Sequence, residues 1–92
     1  MILVSQLKFS LGQVVITPTA LEKLNSDDIL NALNRHVLGD WGELDDEDRR
    51  ENENSLKNGF RLLSAYRSAG TKFWIITEGN RQVTTVLLPE DY

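Results

Sequence analysis

Between Gly59 and Leu88 the chain strings together three runs rich in aromatic and β-branched residues, separated by short polar breaks. Such residues suit a pleated surface packed on at least one side, so this stretch decides what the rest of the chain must cover. In Phe60 to Arg67 two sets alternate: Phe60, Leu62, Ser64 and Tyr66 on one side, Arg61, Leu63, Ala65 and Arg67 on the other. Ser68-Ala69-Gly70 interrupts, with a glycine available for positive φ. In Thr71 to Thr77, Phe73, Ile75 and Thr77 point one way and Lys72, Trp74 and Ile76 the other. Glu78-Gly79-Asn80-Arg81 carries Gly-Asn, a pair that tolerates the left-handed conformations of tight hairpins. Gln82 to Leu88 is the return strand, and Pro89 ends it by removing a ladder donor. The three runs read as an antiparallel meander.

The residues before it supply its cover. Leu11 to Ile16 reads as a strand, with Gly12 a bulge or a point of close approach. Thr17-Pro18 starts a short helix over Thr19 to Leu24, Thr17 as N-cap and Pro18 at the first helical position, with Leu21 and Leu24 inward. Ser26 reads as the next N-cap, and Asp27 and Asp28 complement the helix dipole. Ile29, Leu30, Leu33, Val37 and Leu38 form the apolar stripe of that second helix, which Gly39 stops. Trp41 anchors the glycine-flanked loop Asp40 to Leu44 as a buried side chain. Asp45 caps a third helix, with Asp48 three residues on, that runs to about Asn58 and stops at Gly59. That helix is almost wholly polar, Leu56 being its clearest apolar position, and a pair such as Glu47 with Arg50 would help to hold it.

The expected class is therefore α+β: an N-terminal strand, two to three short helices, then the three-stranded meander with helices packed on one sheet face. Ninety-two residues suit a single domain, residues 1–92, with Met1 to Lys8 as a flexible arm or an edge strand. The apolar start Met1-Ile2-Leu3-Val4 is cut short by Gln6 and Lys8 and does not read as a secretory signal. No run approaches the roughly 20 apolar residues of a membrane helix, so no membrane partner is expected and the expected location is cytoplasmic. The sequence has no cysteine, which removes disulfides, thiolate nucleophiles and Cys-based zinc sites.

Charge is unevenly distributed about the net −4. Asp40, Glu43, Asp45, Asp46, Glu47, Asp48, Glu51 and Glu53 crowd one segment, whereas Lys57, Arg61, Arg67, Lys72 and Arg81 meet a single acid, Glu78. Either the acids crowd a solvated helix start, or the asymmetry marks a polar partner surface. The acidic segment lacks the glycine of a calcium loop, so neither a metal nor any cofactor is expected. His36 is the only histidine. It reads as a cation near a helix C-terminus, or as a base partnered by Asp40. No G-x-S-x-G, S-x-x-K or phosphate-binding glycine loop is present.

Two binding surfaces follow. The first is the loop and helix start of His36, Asp40, Trp41, Glu43, Asp46, Glu47 and Arg50, an acidic docking surface for a basic protein. The second is the sheet face of Arg61, Arg67, Lys72 and Trp74, which combines phosphate-binding cations with a stacking ring for nucleic acid. A pI near 4.8 weighs against the second.

Four segments carry a resemblance: F-S-L-G-Q-V-V-I-T-P-T-A-L (Phe9 to Leu21), H-V-L-G-D-W-G-E-L-D-D-E-D-R-R-E-N-E (His36 to Glu53), G-F-R-L-L-S-A-Y-R (Gly59 to Arg67), and W-I-I-T-E with T-T-V-L-L-P-E-D-Y (Trp74 to Tyr92). With these the chain resembles a family of small bacterial proteins associated with plasmids and other accessory regions. H-V-x-G-D-W-G is the most distinctive part; Met1 to Lys8 and much of Glu22 to Arg35 depart from the pattern. The resemblance implies a bacterial cytoplasmic protein of mobile-element or host-defence biology and carries over no catalytic residue. The expected function is a non-enzymatic protein-interaction or regulatory module of plasmid or accessory DNA. The alternatives are a nucleic-acid-binding domain and a small enzyme using His36.

Overall fold

The computed structural model describes residues 7–92. Residues 1–6 of the expected arm lie outside the described residues. Leu7 to Phe9 forms no strand; the Lys8 N–H instead donates to the Val37 carbonyl at 2.9 Å.

Strand β1 (Gln13–Ile16) leads into α1 (Pro18–Lys23) and α2 (Ser26–Val37), then α3 (Asp46–Asn58) and strands β2 (Leu62–Ser68), β3 (Thr71–Thr77) and β4 (Val83–Leu87). A 3-10 turn, Pro89–Asp91, closes the chain. The class is α+β with three α-helices. The four strands form one mixed sheet in the order β1-β4-β3-β2. β2–β3 and β3–β4 run antiparallel, while β1 lies parallel to β4 with Val15 opposite Thr85. A parallel partner requires a crossover connection; here the three helices and the β2–β3 hairpin all lie between the two strands.

Local signals behave as their chemistry demands. The Thr17 hydroxyl accepts from the Ala20 N–H, and Pro18 opens α1. Asp45 accepts from the Asp48 N–H at 2.8 Å, and Gly59, at φ 74°, ends α3. The cap of α2 is Asn25 rather than Ser26: its Oδ1 accepts from the Asp27 N–H at 2.8 Å. Gly12 is a point of close approach, since a Cβ there would sit 2.3 Å from the Gln82 carbonyl oxygen. In the β2–β3 hairpin both central residues, Ala69 and Gly70, have positive φ. After β3 it is Arg81, at φ 60°, that turns left-handed. Gly79 does not, but a Cβ on it would come 2.7 Å from the Gly59 carbonyl oxygen.

α1 and α2 cover one sheet face, and Ala20, Leu24, Ile29, Ala32 and Leu33 meet Tyr66, Phe73, Ile75, Val86 and Leu88 there. Leu21 and Leu30, expected inward, are 63% and 60% exposed, and Leu38 is exposed as well. Ala32 and His36 take the inward positions on α2. With Ala32 and His36 inward beside Ile29, Leu33 and Val37, Leu30 and Leu38 fall on the outer side of the helix. α3 does not join this layer. It lies along the outer edge of β2, where Asn52 and Ser55 are its buried residues.

Candidate functional site

His36 is fully buried, and its ring sits at the centre of a chain of polar side chains crossing the sheet. Nδ1 lies 2.5 Å from Ser64 Oγ and Nε2 lies 2.9 Å from Thr77 Oγ1. Thr77 Oγ1 is 2.8 Å from Thr84 Oγ1, and the Thr84 hydroxyl donates to the Leu11 carbonyl at 2.7 Å. Counting protons gives the chain one direction. Thr84 has spent its hydrogen on Leu11, so Thr77 donates to Thr84, and the imidazole Nε2–H donates to Thr77. Nδ1 is then an acceptor, and Ser64 donates to it. The ring is neutral in this arrangement, and every buried side-chain polar atom among the described residues is satisfied.

The surroundings enforce that state. Phe9 and Trp41 meet the imidazole edge-on at 5.1 and 5.7 Å, and stack on one another at 6.2 Å. Burial, aided by the charge of Arg81, lowers the His36 pKa to about 3. Two expectations fall here. His36 is not a cation at the helix C-terminus, because desolvation outweighs the dipole. Nor is it partnered by Asp40, whose carboxylate accepts from Arg35 Nε at 2.7 Å. That hydrogen bond, with a smaller one from the Gly42 N–H, holds the Asp40 carboxyl below its ordinary range.

The remaining members of the expected docking surface divide between core and solvent. Trp41 is buried, as its anchoring role requires, and its Nε1–H donates to Glu53 Oε2 at 2.7 Å. A side chain so enclosed offers no contact area to a partner. Glu43 accepts from Arg67 at 3.0 Å. Asp46, Glu47 and Arg50 stand exposed on the first half of α3. The expected pair of Glu47 with Arg50 is not among the ion pairs of the described residues.

What mounts α3 is a set of residues the sequence did not single out. Asn52 Nδ2 donates to the Leu63 carbonyl at 2.6 Å, and its Oδ1 accepts from the Leu63 N–H at 3.2 Å. Arg49 donates to the carbonyls of Leu44 and Gly42. The loop strand makes a parallel bridge between Gly42 and Ala65, so close that a Cβ on Gly42 would fall 2.0 Å from the Ala65 oxygen. At the other end, Arg81 donates to the carbonyls of Ser55 and Phe60. A polar residue on a polar helix gives no periodic signal, so the sequence does not distinguish Asn52 from its neighbours.

The basic sheet residues are brought together only in part. Arg67 and Lys72 are register partners, and Trp74, opposite Ala65, lies on the same face. Arg61 donates to Glu78 and to the Tyr92 hydroxyl, Arg67 is paired with Glu43, and Trp74 packs against the Tyr92 ring at 5.9 Å. Arg81 is committed to backbone carbonyls. The run of cations that the sequence sets against one acid is thus largely neutralised or internally bonded.

Among the described residues no three acids or histidines converge as a metal site would require, and no helix is long and apolar enough to cross a membrane. Comparison of the chain with protein-family models, curated proteins and solved structures finds no match.

Proposed function

We propose that the protein is a non-enzymatic interaction module that presents the outer face of α3 to a basic protein surface. The observation that carries this reading is the way α3 is held. It buries only Asn52 and Ser55, so its sequence is poorly explained by packing against its own fold. A helix polar on all sides is either held by side-chain pairs along its own surface or bridges to a neighbour, and among the described residues no ion pair lies within α3. Asp46, Glu47 and Glu51 stand in solvent with Arg50 beside them, while Trp41, Arg49 and Asn52 fix the helix from behind. Such a mount spares a partner the cost of ordering the surface it binds. The resemblance to plasmid-associated bacterial proteins supports a setting in accessory DNA.

Co-purification of the tagged chain with nuclease treatment tests the reading. A stoichiometric basic protein should survive nuclease, be lost with Asp46→Lys/Glu47→Lys, and be kept with Lys72→Ala. Unchanged partner affinity in the charge-reversal variant overturns it.

A second reading is favoured by one observation, the adjacency of Arg67, Lys72 and Trp74 on one sheet face. Nucleic acid bound there would be lost as salt rises and weakened by Lys72→Ala.

A further inference from the structure

The two edges of the sheet are treated differently. Along β2 the outward backbone groups of Leu63 are taken by the Asn52 side chain, and those of Ala65 by the Trp41 carbonyl and the Glu43 N–H. Along β1 nothing among the described residues does the same. Gln13 and Thr17 donate towards β4, to the carbonyls of Gln82 and Val86, so the alternation of a parallel ladder turns the N–H and C=O of Val14 and Ile16 outward. At four residues the strand is short, which limits edge pairing, but neither a charged side chain, nor a proline, nor a bulge protects Gln13–Ile16, the other usual means of blunting an edge. Val14 and Val15 are 39% and 38% exposed. Beside the strand, Val14, Ile16, Leu21, Leu30 and Leu33 wall an apolar groove of about 400 Å³.

We infer that β1 pairs with β1 of a second copy of this chain, antiparallel about a two-fold axis at Val15, to make one continuous sheet. The strand is self-complementary in that register: Val14 lies opposite Ile16 of the second copy and exchanges both backbone hydrogen bonds with it, and the reverse pair does the same. The outward leucines of α1 and α2 then close over the groove from both sides. Charge favours a second copy in this orientation. The strand carries no charge, and the acidic α3 lies at the opposite edge of the sheet. At ~4.8 Å per strand, pairing through β1 leaves the two acidic helices more than ~30 Å apart, beyond the Debye length at physiological salt. The surface is independent of the α3 docking face.

The test is sedimentation from micromolar to millimolar protein, with amide exchange of Val14 and Ile16 followed by NMR. The expected result is a dimer in which both amides gain protection as concentration rises. Val15→Lys sets two ammonium groups opposite one another at the axis, on a half-exposed position outside the helix-covered core. It should weaken self-association at least roughly tenfold with a melting temperature close to the parent's at dilutions where both are monomeric, while Glu47→Lys leaves the dimer intact. A monomer at every concentration overturns the inference. Protection of both amides in the sedimenting monomer does so too, because the edge would then be covered within one chain. A dimer that persists in Val15→Lys with the two amides still exchanging freely places the interface elsewhere and also overturns it.

Discussion

The side-chain amide of Asn52 lies against the backbone of Leu63 as a neighbouring peptide unit would, donating to its carbonyl at 2.6 Å and accepting from its N–H at 3.2 Å. One side chain therefore docks a helix and closes a sheet edge together. Asn52→Ala leaves both Leu63 groups unpaired in a part-buried place, at a cost of about 1–3 kcal/mol. Asn52→Asp should lie between, since it keeps the acceptor and loses the donor. Urea unfolding measures both, and amide exchange at Leu63 should rise in each. An Asn52→Ala variant as stable as the parent, with Leu63 still protected, would show α3 to be held by other contacts.

His36 makes stability depend on pH. Its pKa is about 3 in the folded chain against an ordinary 6.5, so between those values the unfolded chain binds the extra proton. The contribution is complete above about pH 6.5 and is lost as pH falls towards about 3, with a limiting slope near 1.4 kcal/mol per pH unit. Between about pH 6.5 and 5, above most carboxylate titration, the parent should lose stability on acidification. His36→Gln should be less stable at neutral pH but nearly flat across that interval. Chemical unfolding at a series of pH values separates the two; parallel curves would mean that the imidazole titrates normally.

Trp41 joins Phe9, His36 and Glu53 in one cluster. Trp41→Ala should cost about 3–5 kcal/mol, and Trp41→Phe less, because the ring stack survives while the hydrogen bond to Glu53 does not. Thermal melts give the ranking. A near-parental melt for the alanine variant would place the indole in solvent.

Ala69 occupies the first central position of the β2–β3 hairpin at φ 49° with Gly70 at φ 84°. A side chain pays about 1–2 kcal/mol for that region unless it is glycine or asparagine. Ala69→Asn creates the Asn-Gly pair such turns prefer and should raise the melting temperature by a few degrees, roughly 4–8 °C per kcal/mol. Ala69→Val should lower it. The opposite order would mean the hairpin turns by another geometry.

What could be read in the sequence was what a few neighbouring residues decide among themselves. The alternation through β2 and β3, the Thr17-Pro18 start of α1, the Asp45 cap and the Gly59 stop rest on local sterics and local hydrogen bonds, and they stand where the residues place them. Tertiary structure decided the remainder. The apolar stripe of α2 is broad enough to seat with Leu30 or with Ala32 and His36 inward, and only the sheet beneath it chose the second. Whether β1 met the first or last strand of the meander was decided in the folded sheet, where Asn52, Trp41 and Glu43 already take the outward groups of β2. Asp40 and His36 are four positions apart, yet Arg35 took the carboxylate and Ser64 and Thr77, from distant strands, took the ring. Local conformation costs little to specify because its partners are already adjacent. Polar partners and strand neighbours lie tens of residues away, and the chain settles them only when the core closes and every buried donor must find an acceptor.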